Sequence, residues 1–184
     1  EASGLSACLD ALLAQSMPIK TIMIADDGST DRSPQLLQDL YSIPQGAGMR
    51  QSKVHSNISI LRRPHQGKAH ALNAAWPLLD ADIVVTLDAD TILEPNAIRA
   101  LAQAFAAQPT LAVAGGILQP QCMPHWSAGF FEFFQKFEYI YSFVARAGWM
   151  KANALLLVSG AFAAYRKDVL VQLNGFDPHS MVED

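Results

Sequence analysis

The sequence predicts one α/β domain, a mostly parallel sheet flanked by helices, and three observations carry that expectation. Short β-branched runs alternate with segments of helical periodicity. The two clearest strands each run straight into a pair of aspartates, the pattern of a ligand rim at the carboxyl ends of a sheet. Hydrophobic residues make up 51% of the 184-residue chain and charged residues 16%, enough for one real core and too short a chain for two.

The elements follow in order. Leu5, Leu9, Leu12 and Leu13 have helical spacing, which predicts a helix over 4–15 with Ser3 as its cap. Thr21 to Ala25 reads as a strand that ends in a turn at Asp26-Asp27-Gly28. Residues 33–41 read as a short helix that Asp31 would cap. Pro44, Gly46 and Gly48 make 42–56 a loop. Ile58 to Leu61 is a strand, Lys68 to Trp76 a helix, Ile83 to Leu87 a buried strand and Asn96 to Ala107 an amphipathic helix. Leu111 to Leu118 is another strand, bent at Gly115-Gly116, and the apolar stretch from Ala152 to Tyr165 reads as buried strand.

Between these last two lies a compositional break. Nine of the 16 aromatic residues fall between Trp126 and Phe143. Trp126, Phe130, Phe133, Phe137, Ile140 and Val144 keep helical spacing, while Phe131, Phe134 and Tyr141 widen the apolar face. Two placements fit: a core helix, or a helix docked on a membrane surface or against membrane-spanning helices.

Charge and cysteine usage exclude several classes. The net charge of -4, from 13 basic and 17 acidic side chains, does not suit a general nucleic-acid binder. Cys8 and Cys122 match no metal spacing and no disulfide framework, so a reducing compartment is expected. No signal peptide is expected from these residues, and they contain no apolar run of about 18. The five histidines show no zinc spacing, and Ser159 lies in no nucleophile elbow.

The chemistry-bearing residues lie after the strands. Asp88-Ala89-Asp90 puts two carboxylates at i and i+2. Carboxylates this close repel unless a cation joins them, and Mg²⁺ or Mn²⁺ prefers such hard oxygens shared with substrate phosphates. The same string also reads as a solvated, capped turn. Asp26-Asp27-Gly28-Ser29 is either a turn or an acceptor pair aimed at a base N–H or ribose hydroxyl. Gly67-Lys68 opens a helix, where a lysine can meet phosphate, although the Walker spacing is absent.

Taken in order, the motifs are Asp-Asp-Gly-Ser-Thr-Asp, Gly-Lys-Ala-x-Ala-Leu-Asn, Asp-x-Asp, an aromatic helix, Val-Ser-Gly-Ala and Glu-Asp. This order resembles the inverting family 2 glycosyltransferases, a GT-A type, Rossmann-like fold of nucleotide-diphospho-sugar transferases. It is most similar to the membrane-associated bacterial branch that makes cellulose, hyaluronan and poly-N-acetylglucosamine. The resemblance spans nearly the whole of 1–184, with 1–120 as a nucleotide-binding half and 121–184 as an acceptor-side half. It implies transfer of a sugar from a nucleotide-diphosphate donor, a UDP-sugar, to a saccharide or lipid-linked acceptor in cell-surface or exopolysaccharide synthesis. It further implies Mg²⁺ or Mn²⁺ as cofactor and a parent protein with transmembrane helices, working at the cytoplasmic face of the inner membrane.

The resemblance also implies roles. Asp27 would contact the base, with Asp26 and Gly28 beside it, and Lys68 would lie near the diphosphate. Asp88 would approach ribose and metal, and Asp90 would ligate the metal. Gln135, Glu138 and Tyr139 match a Q-x-x-E-Y string near the acceptor, Ser159 and Gly160 would line its pocket, and Glu183-Asp184 would supply the catalytic base, Asp184. The family's opening strand is missing apart from Glu1, and its downstream Q-x-x-R-W is absent, so a domain truncated at both ends is expected. The competing readings are a non-catalytic nucleotide- and metal-binding module and another Mg²⁺-dependent nucleotidyltransferase.

Overall fold

The computed structural model describes residues 2–119, 128–151 and 160–179. Helix α1 (Ala2–Leu13) leads into β1 (Ile22–Asp26) and α2 (Ser33–Tyr41). A hairpin of β2 (Gly48–Gln51) and β3 (Ile58–Arg62) follows, then α3 (Lys68–Ala75), which ends in a single 3₁₀ turn. Strand β4 (Ile83–Leu87), α4 (Ala97–Ala107), β5 (Val113–Gly115), the long α5 (Ala128–Lys151), β6 (Phe162–Arg166) and α6 (Lys167–Gln172) complete the order.

The strands form two three-stranded sheets, β1-β3-β2 and β4-β6-β5. The α/β class holds, and the strand directions correct the expectation of a mostly parallel sheet. Among the described residues only β1–β3 is parallel, while β2–β3, β4–β6 and β5–β6 are antiparallel. For β2–β3 the cause is connection length. The six residues from β2 to β3 allow only a hairpin, since a parallel return needs about a dozen residues. Its first strand, β2, lies in the segment expected to be loop, and Gly48, at φ 79°, marks its start, while β3 is the strand expected at Ile58 to Leu61. Strand β6 lies between β4 and β5, so residues from either side of position 120 share one sheet.

Helix α1 begins earlier than expected, which puts Ser3 inside it rather than at its cap. Its leucines do the predicted work: Leu5 and Leu9 pack with Ile22, Leu37, Tyr41, Ile43, Ile58 and Ile60 in the main core. Tyr41 fastens α2 to α1 by donating its hydroxyl to Asp10 at 2.8 Å. The other side of α1 meets the β4 half. Gln15 Nε2 donates to the Glu94 carbonyl (2.9 Å) and its Oε1 accepts from the Ile98 amide (3.1 Å). Strand β5 is shorter than predicted because it stops at Gly115, where Gly116 passes against the Phe162 ring too closely for any Cβ.

Helix α5 confirms the helical spacing of the aromatic segment and corrects its placement as core. Phe133, Phe137, Ile140 and Val144 stand at least 61% exposed among the described residues. Trp126 lies outside the described residues, as do 152–159 of the expected long strand. Among the described residues no helix is long and apolar enough to cross a membrane.

Candidate active site

Strand β1 delivers its first aspartate into the interior. Asp26 is 6% exposed and sits in register opposite Arg62 of β3. Its carboxylate accepts from the Arg62 Nε at 2.5 Å and from the Ser29 amide at 2.8 Å. Burial alone would raise its pKa, but the Ser29 amide and the Arg62 guanidinium outweigh that and hold it below the ordinary range. Buried under the rim with both oxygens held by internal donors, Asp26 offers a ligand the shape of the turn rather than a reachable oxygen. Arg62 is a site-shaping residue the motif reading passed over, and its signal was the strand-end position opposite the acidic cluster.

The second aspartate faces the rim. Asp27 accepts from the backbone amides of Gln66 and Gly67, both at 2.8 Å, and its Oδ2 lies 2.7 Å from His65 Nδ1. Desolvation pushes its pKa up, and these donors together pull it below the usual carboxylate value. The β3–α3 loop is thereby tied down immediately before Lys68. Gly28 is required here: its φ is +77°, and a Cβ would sit 2.8 Å from the His65 nitrogen.

Lys68 opens α3 and reaches across to the other acidic cluster, with its Nζ 2.9 Å from Asp88 Oδ1. Asp88 ends β4, and its amide donates to the Ala161 carbonyl at 3.1 Å, which extends the β4–β6 ladder to the Gly160–Ala161 corner. Gly160 itself is buried. Asp90 is exposed, two residues on, and α1 approaches it so closely that a Cβ on Gly4 would lie 3.1 Å from its Cα. The Cys8 thiol lies beneath, pushed to about 11 by burial and by the charges of Asp90 and Asp88.

The structure therefore brings Asp27, Gly28, Lys68, Asp88, Asp90 and Gly160 to one rim, with Asp26 under it. Gln135, Glu138 and Tyr139 lie on exposed α5. Ser159, Glu183 and Asp184 lie outside the described residues. Asp31 accepts from the Ser33 amide at 2.9 Å, but the N-cap of α2 is Arg32, so Asp31 supports the helix start from one position before the cap rather than as the expected cap.

Among the described residues no three metal-ligating side chains converge into a protein cage. The donor set nonetheless fits Mg²⁺ or Mn²⁺. Two hard carboxylates at i and i+2, one of them open to solvent, suit an ion that completes its shell with diphosphate oxygens and water.

The fold is shared with a mannosyltransferase from Pyrobaculum calidifontis, solved with GDP-Man and Mn²⁺, at a TM-score of 0.66 and 21% identity over 100% of this chain and 46% of that one. The hyaluronan synthase of Streptococcus pyogenes is 29% identical over 173 residues, 93% of this chain and 39% of that protein. The poly-beta-1,6-N-acetyl-D-glucosamine synthase of Staphylococcus epidermidis is 26% identical over 178 residues, 96% of this chain and 39% of that protein. The chain thus spans about two fifths of the length of these relatives. The family model for glycosyl transferase family 2 matches residues 1–173, and the chain belongs to that family.

Proposed function

We propose that this domain transfers a sugar, with inversion, from a UDP-sugar to an acceptor hydroxyl in the synthesis of a surface polysaccharide. One observation carries the reading. Asp27 holds the Gly67 amide, and Lys68, the next residue, holds Asp88, so three separated motifs meet as one connected rim. UDP-N-acetylglucosamine is the donor of choice, supported by the likeness to a poly-N-acetylglucosamine synthase.

Each residue then has a task. Asp27 contacts the base, since a carboxylate offers about four acceptor sites and three donors already engage it. Lys68 faces the diphosphate, where negative charge grows as the bond from the anomeric carbon to the phosphate oxygen breaks. Asp88 and Asp90 would hold a divalent ion, which would supply a positive charge against the leaving diphosphate. The acceptor hydroxyl attacks from the opposite face and gives its proton to Asp184, so the anomeric centre inverts in one displacement. Gln135, Glu138, Tyr139, Ser159, Gly160 and Glu183 lie on the acceptor side. The whole protein works at the cytoplasmic face of a bacterial inner membrane, anchored by segments outside this chain.

Calorimetry tests the donor side. UDP with Mn²⁺ is expected to bind more tightly than GDP or ADP, and Asp90→Asn should remove the metal dependence. Turnover tests the rest: Asp184→Asn is expected to lower transfer from UDP-N-acetylglucosamine by about 10²–10⁴-fold with donor binding intact. Metal-independent binding, or equal affinity for all three nucleotides, overturns the reading.

A further inference from the structure

We propose that His65 is a specificity-determining residue: it leaves the Asp27 carboxylate able to accept a single donor from a nucleotide base, and so selects uracil over guanine. The proposal rests on the glycosyl-transfer reading above, in which Asp27 meets the base. A carboxylate has about four acceptor sites, two on each oxygen. Oδ1 accepts the Gln66 amide at 2.8 Å, which leaves one of its sites open. Oδ2 accepts the Gly67 amide at 2.8 Å and lies 2.7 Å from His65 Nδ1, so both of its sites are filled.

The imidazole is oriented for this. Nδ1 also lies 3.2 Å from the Asp27 carbonyl oxygen. Carbonyl and carboxylate oxygens only accept, so Nδ1 carries a hydrogen whether the ring is neutral or charged. The His65 backbone packs against Gly28, where an added Cβ would stand 2.8 Å from its nitrogen. The ring itself is 82% exposed, so removing it opens no core. The other two donors to Asp27 are backbone amides, which leaves His65 as the donor that a substitution can remove.

The bases differ in what they present. Guanine has two adjacent donors, N1–H and N2–H₂, which match the two oxygens of an open carboxylate as a pair of parallel bonds. Uracil has one donor, N3–H, between two carbonyl oxygens. With Oδ2 filled, guanine must leave its second donor unpaired or displace the imidazole, whereas uracil forgoes nothing. Filling Oδ2 also spares a uracil carbonyl the repulsion of an open lone pair.

The test is calorimetry on the full-length protein with Mn²⁺ and UDP, GDP or IDP, whose base keeps N1–H and lacks the 2-amino group of guanine. The unmodified protein should prefer UDP. In His65→Ala a water takes the vacated site and yields to the amino group, so the Kd for GDP is expected to fall about fivefold or more relative to those for UDP and IDP. His65→Asn puts an amide N–H where Nδ1 stood and should restore the original ratios. Ratios unmoved in His65→Ala, equal gains for GDP and IDP, loss of all nucleotide binding in His65→Ala, or a His65→Asn protein that behaves like His65→Ala each overturn the proposal alone. An unmodified protein that binds the nucleotides equally, or prefers GDP, overturns the UDP reading and the proposal with it.

Discussion

A carboxylate at the end of a buried strand must find partners or lose its charge. Asp26 finds two, and the geometry says what its removal does. The Arg62 side chain is 18% exposed beside it, so truncating Asp26 leaves a guanidinium largely out of water with no counter-charge. Asp26→Ala is expected to cost about 3 kcal/mol, measured by urea denaturation. Acid acts on the same pair. The folded pKa lies below the ordinary 3.8, so the stabilisation is complete above that value and is lost as pH falls through the lowered one. Asp26→Asn should therefore flatten the acid limb of the stability curve below pH 3.8 and leave its neutral slope unchanged. A variant with the wild-type acid limb would show that other carboxylates control it.

At the scale of elements, the turn after β1 and the loop before α3 are one unit, and Gly28 is where they touch. Alanine there must adopt φ +77° and move the backbone of Arg63 and His65, 3.1 and 2.8 Å from the new Cβ. Neither neighbour is the free end of a flexible side chain, so the loop itself must yield. Because that loop carries Gly67 and Lys68, Gly28→Ala is expected to weaken Mn²⁺-dependent UDP binding at least tenfold, while Gly48→Ala, with open space around it, should not. Equal effects at the two glycines would mean that backbone strain, not displacement of the loop, is what matters.

The same elements show what a linear reading can reach. Strands β1 and β4 were legible because β-branched runs end in aspartates, and α3 because a glycine precedes a lysine and an alanine-rich turn. Strand β2 was not, since Gly48-Met49-Arg50-Gln51 carries no β-rich pattern and forms only because β3 offers it an edge. The placement of α5 was not legible either: its spacing announces an apolar face without saying what covers it. Among site residues, Asp27, Lys68 and Asp88 could be named from motif order. Arg62 and His65 could not be assigned their partners, because those partners lie 36 and 38 positions away.

At the scale of the molecule, the two sheets must hold their relation for Asp27 and Asp88 to serve one ligand, and α1 lies against both. Leu5 and Leu9 anchor it in the core under β1 and β3, while Gly4 abuts Asp90 and Gln15 reaches the segment after β4. Gln15 does two things there. It satisfies the Glu94 carbonyl, and its Oε1 caps the Ile98 amide in the first turn of α4, whose own Asn96 makes no side-chain cap bond. Orphan amides at a helix start need such a partner, and this one comes from another element. Gln15→Leu keeps the bulk and the burial but strands the Ile98 amide and the Glu94 and Ala11 carbonyls, a loss of about 1–3 kcal/mol. The urea midpoint should fall at constant slope, and UDP–Mn²⁺ affinity should fall with it, because α1 then holds the Asp88–Asp90 turn less firmly against the β1 half. A stability loss with unchanged affinity would separate the two roles and leave Gly4, not Gln15, as the contact through which α1 sets the Asp90 end of the rim.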